Sequence, residues 1–517
     1  MSARVGGVTH HPETSVAETD VETTSGAVRG YVTDTSRVWR GIPYAAAPVG
    51  ELRFRAPELP HRWRGVRDAT RFGAIPPQEI PRGITAPASS DVTMDEDCLT
   101  INVIAPRGRL PEKPLPVLVY IYGGAYTSGS ASLDVYDGSR LVERGEVVFV
   151  SFNYRLGALG FLDLSSFSGM GRRFDTNVGL RDQVRALEWV RDNIAGFGGD
   201  PSNVTLFGES AGGISVTTLM TVPQARGLFA RAIAQSPAVA AAYEPERAEG
   251  TARDFLDILN VLESHTTEVL GRVPAEEFVE ASADLKERRV RKFPGTMTFS
   301  PVIDGDFLPR RPAEVFAAGE AHPIPLIIGT TDREGALFAR MGETIPTTVP
   351  MIELMFAQTD PSKRDDVIAA YPDYPGRRAA TDIGGDVIFW HPTVEAAEGH
   401  SQVAPTFMYR YDFAPRLLRM LRMGATHATE LPAVFGTLDS RAAKALTTVG
   451  GRSQLATLSE RMQQHWLSFA QHGTPVKDWP AYEVSARSTK IFDSEDRVEN
   501  DPRAVRRRAW RGYQNYR

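Results

Sequence analysis

Short apolar runs that alternate with helical stretches recur along this chain and limit the folds it can adopt. The strand-like runs occupy residues 115–122, 147–152, 204–207, 230–234, 325–329 and 407–411, and a helical pattern of spaced apolar residues occupies 182–193. Consecutive parallel strands need a connection of about helix length between them. The alternation therefore predicts an α/β fold with a central, mostly parallel sheet flanked by helices.

Two long intervals, residues 243–292 and 340–399, have mostly helical patterns and predict helical insertions that cap this sheet. The chain is 517 residues long, but it shows no internal repeat and no linker rich in Ser or Gly. A single catalytic domain over residues 21–517 is therefore expected. Residues 1–20 are polar without a regular period, which predicts a flexible N-terminal tail.

Charge and composition favour small-molecule chemistry. The chain has 58 Lys and Arg against 64 Asp and Glu, a formal net charge of −6. No global positive field attracts nucleic acid or anionic lipid, and the longest apolar run, 115–122, is too short to cross a bilayer. We therefore expect no nucleic-acid partner, no membrane partner, and a monomer or weak homo-oligomer.

Cys98 is the only cysteine, so no disulfide can form within the chain. A lone cysteine fits a reducing compartment, and residues 1–20 contain no apolar stretch of signal-peptide length. A cytoplasmic location is the expectation that follows.

The most basic stretch lies at residues 503–517. It contains Arg506, Arg507, Arg508 and Arg511 beside Trp510. A solvated face of a terminal helix is the prediction here, rather than a binding patch.

A Gly-Glu-Ser-Ala-Gly segment at residues 208–212 follows one strand-like run and leads into a plausible helix at 213–220. Strand, tight turn and helix are the setting of a nucleophile elbow, in which Ser210 projects its hydroxyl above the sheet. A bare pattern of this kind arises by chance in roughly one chain in six of this length, so an ordinary Gly-rich turn is the alternative.

Acyl transfer also needs backbone N–H groups aimed at the substrate's carbonyl oxygen. Gly123-Gly124-Ala125 ends a strand upstream of the elbow and supplies small residues that permit such an approach. We predict Gly124 and Ala125 as donors, together with Ala211 directly after the nucleophile. The alternative is a loop that merely terminates the strand.

A serine nucleophile requires a histidine base and a carboxylate that orients it, and in this architecture they follow in the order Ser, Asp or Glu, His. Asp332 and Glu334 both follow the strand at 325–329, and the residues alone leave the choice open. His427 lies beyond the strand at 407–411, where the base is expected. Other downstream histidines lie in helical or apolar segments or before that strand: His391, His400, His465 and His472.

From about residue 21 to beyond 479 the sequence resembles the type-B carboxylesterase and cholinesterase family. The resemblance is carried by RGIPYA at 40–45, ELRF at 51–54, EDCL at 96–99, NVGLRDQ at 177–183, FGESAGG at 207–213, PVIDG at 301–305 and ELPAVFG at 430–436. It implies the α/β-hydrolase fold and hydrolysis of carboxylic esters through a serine acyl-enzyme, with neither cofactor nor metal.

The resemblance also assigns residues. It implies Ser210 as nucleophile, His427 as base and Glu334 rather than Asp332 as acid. Supporting roles around His427 are implied for three further residues, Glu209, Glu430 and Ser236.

Three departures from the family pattern affect the expected behaviour. Pro76-Pro77-Gln78 stands where Cys-Pro-Gln is common, so Cys98 is expected to be a buried free thiol. Ala125 replaces the third glycine of the oxyanion segment, which keeps the N–H group and adds a methyl. No tryptophan lies between residues 78 and 97, where cholinesterases hold a cationic substrate.

The expected substrates are therefore small to medium uncharged esters. Two alternatives stay open at this point. The same mechanism also hydrolyses amides, carbamates or thioesters, and the family includes non-catalytic binding proteins.

Overall fold

A computed structural model describes residues 19–79, 92–108, 112–169, 172–341 and 345–516. Residues 1–18 of the expected tail lie outside the described residues. The last residue of that tail, Asp20, opens the first strand.

Most strands belong to one large sheet. The strands are β1 Asp20–Thr23, β2 Gly26–Arg29, β3 Tyr31–Val32, β4 Ser36–Pro43, β5 Val66–Asp68, β6 Thr100–Pro106, β7 Leu115–Ile121, β8 Val148–Phe152, β9 Gly199–Glu209, β10 Arg231–Gln235, β11 Leu326–Thr331, β12 Thr406–Tyr411, β13 Ser488–Phe492 and β14 Arg497–Asn500. The large sheet has the order β14-β13-β12-β11-β10-β9-β7-β8-β6-β4-β3, and β1, β2 and β5 form a small separate sheet.

The centre of the large sheet is parallel and its margins are antiparallel. Strands β8, β7, β9, β10, β11, β12 and β13 pair in parallel in that spatial order. The pairs β3·β4, β4·β6, β6·β8 and β13·β14 are antiparallel. The prediction of a mostly parallel sheet is confirmed, whereas the marginal strands β3, β4, β6, β13 and β14 were not predicted.

Helices cover the sheet and form the insertions. They are α1 Ser139–Gly145, α2 Gly157–Phe161, α3 Val178–Asn193, α4 Ala211–Leu219, α5 Pro245–Ile258, α6 Thr266–Val269, α7 Ala275–Lys292, α8 Pro312–Ala317, α9 Gly335–Met341, α10 Val349–Gln358, α11 Arg364–Ala369, α12 Arg377–Gly385, α13 His391–His400, α14 Arg416–Met420, α15 Leu431–Phe435, α16 Arg441–Leu446, α17 Arg452–His472 and α18 Ala504–Trp510. A π-helical turn, Asp386–Trp390, joins α12 to α13.

The buried stretches of the central strands are mostly apolar where helices such as α4 and α17 pack on the sheet. In β7, every residue from Val117 to Ile121 is fully buried. A parallel strand buried on both faces shows a continuous apolar run instead of alternation, which is the pattern seen in the sequence. The two predicted insertions are largely helical, with α5–α7 in the first and α10–α13 in the second.

Parallel pairing brings the carboxyl ends of β9, β10 and β11 to one edge of the sheet. Gln235, the last residue of β10, lies level with Glu209 of β9 and with Gly329 of β11. Ser210 directly follows β9, Ser236 directly follows β10, and Glu334 comes three residues after β11. The topology therefore gathers side chains that are far apart in sequence.

Two further sequence predictions can be compared with the fold. Cys98 is a free thiol with none of its surface exposed, as predicted. Within the described ranges, no helix is long and apolar enough to cross a membrane.

The predicted solvated face of the C-terminal helix is wrong for several of its residues. Trp510 is fully buried, and the Arg503 side chain is only 10% exposed. Arg503 and Arg506 form ion pairs with carboxylates of the second insertion and of the loop after β11. Of the described arginines in this stretch, Arg508 and Arg511 are exposed, as a solvated face requires.

Candidate active site

Ser210 lies at a sharp turn between β9 and α4. Its backbone has φ 57° and ψ −122°, a conformation that non-glycine residues rarely adopt. A Cβ at Gly212 would lie 2.0 Å from the Ile121 carbonyl oxygen, and one at Gly208 would lie 2.6 Å from the Gly212 backbone. The two glycines therefore make this turn possible, as a nucleophile elbow requires.

The predicted oxyanion segment packs directly against this turn. A Cβ on Gly123 would lie 2.5 Å from the Glu209 carbonyl oxygen and 2.9 Å from Ser210 Cβ. Gly124 and Ala125 both have positive φ, 119° and 55°, which turns the chain sharply here. Among the described residues, the N–H groups of Gly124, Ala125 and Ala211 donate no hydrogen bond. They are free to bind a substrate oxygen.

His427 forms a short contact with Glu334, which lies on the loop after β11. The distance from His427 Nδ1 to Glu334 Oε2 is 2.6 Å, and both side chains are buried. The other oxygen of the carboxylate, Oε1, accepts hydrogen bonds from the Ser236 hydroxyl (2.7 Å) and the Thr331 N–H (2.6 Å). This network places the Nδ1 proton toward Glu334 and fixes the orientation of the ring.

The second ring nitrogen of His427 makes no hydrogen bond among the described residues. Nε2 has no hydrogen-bond partner within the described part of the chain, and Glu209 Oε1 lies 3.2 Å from it. The rings of Phe389 and Phe338 lie against the imidazole, with centroid distances of 4.6 and 5.1 Å. The imidazole therefore packs against two apolar rings, and its Nε2 is available to exchange a proton.

Buried carboxyl groups set the charge of this region. Burial would lower the pKa of His427, but the charges of Glu209 and Glu334 outweigh it and raise the pKa to about 9. Burial raises the pKa of Glu209 to about 7 and, helped by the charges of Glu209 and Glu334, that of Glu430 to about 8. Glu430 is therefore harder to ionise than a free glutamate, and the negative charge of Glu209 favours the protonated form of His427.

The residues alone left Asp332 and Glu334 as alternative partners of His427, and their positions in the structure distinguish them. Asp332 does not contact the imidazole, and its carboxylate instead accepts a hydrogen bond from Arg503 at 2.8 Å. Burial would raise the pKa of Asp332, but Arg503 and Arg410 lower it below its usual value. Glu334 is thus the carboxylate that the structure brings to His427.

Sequence reasoning missed several neighbours of this site. Gln235 accepts the Ser210 N–H at its backbone oxygen (2.9 Å), and its amide nitrogen lies 3.4 Å from Glu430 Oε1. Its position at the end of β10, level with Glu209, is a signal that could have identified it. Phe389 had no such signal, because it lies in a π-helical turn that apolar periodicity does not predict.

Across the residues that the structure describes, no group of three or more His, Cys, Asp and Glu could hold a metal ion.

Comparison with known proteins decides the family. A model described as the carboxylesterase family matches residues 17–510. The chain belongs to the carboxylesterase family. Hydrolysis of carboxylic esters and the α/β-hydrolase fold follow from this membership, and a serine mechanism is typical of the family.

Curated relatives and solved structures agree. The para-nitrobenzyl esterase of Bacillus subtilis (strain 168) is 40% identical over 497 residues, covering 94% of this chain and 97% of that protein. The acetylcholinesterase of Bungarus fasciatus is 33% identical, covering 90% and 82%. A PNB esterase structure superimposes with a TM-score of 0.86 at 39% identity, covering 95% of this chain and 99% of the other. For a Geobacillus stearothermophilus carboxylesterase the TM-score is 0.82 at 36% identity, with coverages of 95% and 100%.

Replacement of Gly123 by Ala tests the contact between the oxyanion segment and the elbow. The added methyl would overlap the Glu209 carbonyl oxygen and Ser210 Cβ, which are rigid neighbours, so the segment must move away. We expect kcat/KM for para-nitrophenyl acetate to fall about 100-fold, because oxyanion donors act only when correctly placed.

Gly250→Ala is the matched control. A Cβ on Gly250, in α5, would meet nothing within 4 Å, so kcat/KM is expected to stay unchanged. Wild-type kcat/KM in Gly123→Ala would show that the described contact does not control the site.

Proposed function

We propose that this carboxylesterase hydrolyses esters through an acyl-enzyme on Ser210, with His427 as base and Glu334 as the acid that orients it. The observation that carries the proposal is the state of His427. Its Nδ1 contacts Glu334 at 2.6 Å, whereas its Nε2 makes no hydrogen bond within the described residues and lies on the side of Glu209, the residue next to Ser210, at 3.2 Å from the Glu209 carboxylate. A base that activates a serine needs one ring nitrogen held by a carboxylate and the other able to take the proton.

Acylation begins when Ser210 Oγ attacks the ester carbonyl carbon and its proton passes to His427 Nε2. The carbonyl oxygen becomes an oxyanion, which accepts hydrogen bonds from the free N–H groups of Gly124, Ala125 and Ala211. When the C–O bond to the alcohol breaks, Nε2 returns its proton to the departing oxygen. The products of this half-reaction are an alcohol and the Ser210 ester.

Deacylation repeats the sequence with water. Nε2 takes a proton from a water molecule as its oxygen attacks the acyl carbon, and the same N–H groups bind the second oxyanion. Breakage of the bond to Ser210 Oγ then returns the proton to the serine. A carboxylic acid is released and the enzyme is restored.

The three supporting residues would act on the charge of the imidazole. Ser236 and the Thr331 N–H hold Glu334 in place, so the carboxylate cannot rotate away when His427 becomes charged. Glu209 adds a second negative charge beside Nε2 and favours the imidazolium form. The charge of Glu430 raises the pKa of His427 in the same direction, with a smaller effect than Glu209.

Ser210→Ala tests the nucleophile. Without the hydroxyl no acyl-enzyme can form, and we expect kcat for para-nitrophenyl acetate to fall by about 10⁶-fold with an unchanged melting temperature. A fluorophosphonate probe should label the wild type at Ser210 and leave the variant unlabelled. Ser202→Ala, at an exposed position near the start of β9, is the control that keeps full activity. Turnover near the wild-type value in Ser210→Ala would exclude the mechanism.

The pH dependence tests the role of Glu209. Because the base must be unprotonated, kcat/KM rises as the pH rises through the pKa of His427, and the charge of Glu209 raises that pKa. In Glu209→Gln the charge is lost, so the midpoint of this limb should move to lower pH by about 1 unit. The measurement is kcat/KM between pH 5 and 10.

Glu143→Gln serves as the control for that profile, since Glu143 pairs with Arg140 on the surface and should not shift the midpoint. A midpoint that stays in place or moves upward in Glu209→Gln would contradict the assigned role.

Small to medium uncharged esters are the proposed substrates. Phe338 and Phe389 present apolar rings beside the imidazole, and no tryptophan occurs between residues 78 and 97 to hold a quaternary ammonium group. Acetylcholine and its uncharged isostere 3,3-dimethylbutyl acetate differ only in that charge. We expect kcat/KM for the isostere to equal or exceed that for acetylcholine, and a tenfold preference for acetylcholine would oppose the proposal.

A single catalytic domain over residues 21–517 is proposed on the extent of the sheet. Its strands run from Tyr31 in β3 to Asn500 in β14, so residues from most of the chain share one set of backbone hydrogen bonds. One cooperative melting transition is the expected calorimetric result, and two separate transitions would argue for two domains.

Location and assembly are also proposals. The single, buried cysteine needs no oxidising compartment, which supports a location in the cytoplasm, and cell fractionation would measure that location.

A monomer or weak homo-oligomer is proposed, and sedimentation velocity over a range of concentrations would reveal a tighter assembly.

A further inference from the structure

The loop that carries Glu334 is held on its outer side by an ionic cluster outside the proposed catalytic residues. We call it the C-terminal ionic cluster, and its members are Asp332, Arg333, Asp382, Asp386, Arg503 and Arg506. It consists of three arginines and three aspartates, and Arg410 lies beside it at 3.8 Å from Asp332. It joins three segments that are distant in sequence: the loop after β11, the end of the second insertion, and the start of α18.

Arg503 is the member that links two parts of the site. Its Nη2 donates to Asp332 Oδ1 at 2.8 Å and also to the Asp332 backbone oxygen, two residues before Glu334. Its Nη1 donates to Asp386 Oδ1 at 3.1 Å, at the start of the π-helical turn. One rigid guanidinium therefore sets the spacing between the acid's loop and that turn.

Both parts held by Arg503 contact the proposed acid and base. Phe389 of the π-helical turn lies 4.6 Å from His427 between ring centroids. Gly385, directly before the turn, packs so closely that an added Cβ would lie 2.5 Å from the Gly335 nitrogen and 3.2 Å from Glu334 Cβ. There is no free space between turn and loop, so a shift of one must displace the other.

The remaining members brace this link. Arg506 donates to Asp386 Oδ2 at 3.0 Å and to Asp382 Oδ2 at 3.4 Å. Arg333, the residue beside Glu334, donates to Asp382 Oδ1 at 3.0 Å. Each carboxylate of α12 and the π-helical turn is thus shared by two arginines, which fixes the position of both partners more tightly than a single pair would.

We propose that Arg503 is a positioning residue that holds Glu334 against His427 by fixing the loop after β11 to the π-helical turn. The inference rests on the proposed role of Glu334 as the acid. Arg503 touches none of the reacting atoms, and its effect arises because a displacement of about 1 Å in a catalytic carboxylate costs about 100-fold in rate.

The test compares Arg503→Met in the wild type and in Glu334→Gln. In the wild type we expect kcat for para-nitrophenyl acetate to fall 10- to 100-fold with KM within about threefold. In the Glu334→Gln background the same substitution should lower kcat by less than about threefold, because the group that Arg503 positions is already absent. Equal losses in both backgrounds would overturn the inference, since a purely structural defect acts regardless of Glu334.

A second readout is the pH profile. Glu334 raises the pKa of His427, so displacement of the carboxylate should move the rising limb of kcat/KM in Arg503→Met to lower pH. Arg507→Met, one turn further along the chain within α18, is the matched control. Arg507 pairs with Asp501 at 2.7 Å and forms no ion pair with the loop or the turn among the described residues, so its loss should leave kcat and the midpoint unchanged. An unshifted midpoint in Arg503→Met would count against the inference.

The two proposals can fail separately. If Glu334→Gln keeps the wild-type kcat, the acid assignment is wrong and the inference falls with it. If Glu334→Gln is slow but Arg503→Met is not, only the inference is wrong. Should Arg503→Met show no cooperative melting, Arg503→Lys, which keeps the cation but cannot span both partners, is tested in the same two backgrounds by the same criterion.

Discussion

The contact of 2.6 Å between His427 Nδ1 and Glu334 Oε2 places two ionisable groups in a region with almost no access to water. Neither group could be buried alone without a large desolvation cost. The surrounding structure provides the compensation. The Ser236 hydroxyl and the Thr331 N–H bind the carboxylate, and the parallel edges of β9, β10 and β11 bring these donors together. The stability of the charged imidazole therefore depends on the sheet, because the sheet positions the donors that bind its carboxylate partner.

That region also contains two other carboxyl groups, on Glu209 and Glu430, with pKa values raised to about 7 and about 8. Because Glu209, Glu430 and His427 lie close together, a change in the charge of one of them alters the pKa of the other two. Phe338 and Phe389 exclude water from the same region and strengthen each of these interactions. The apolar rings thus strengthen the interactions between the charged groups, because they exclude water from around them.

Much of the site could be predicted because its signals are local. The elbow at Ser210 is marked by two glycines at fixed spacing, and the parallel sheet by continuous apolar runs. The residues alone left Asp332 and Glu334 equal, since both follow the same strand, and only their three-dimensional contacts distinguish them.

Arg503 and Arg506 were assigned to a solvated face, because a run of arginines carries no sign of the distant carboxylates that pair with it in the fold. Strands β6 and β13 were missed because buried polar residues such as Asn102 and Lys490 interrupt their apolar character.

The bond from Arg503 to the Asp332 backbone oxygen joins positions 171 residues apart. A growing polypeptide displays the serine, the acid and the imidazole well before this arginine is synthesised. The elements that carry Ser210, Glu334 and His427 are therefore all synthesised before the residue that anchors the loop after β11. The anchor can form only after those elements have emerged, so it is made after, and not together with, the contacts it holds in place.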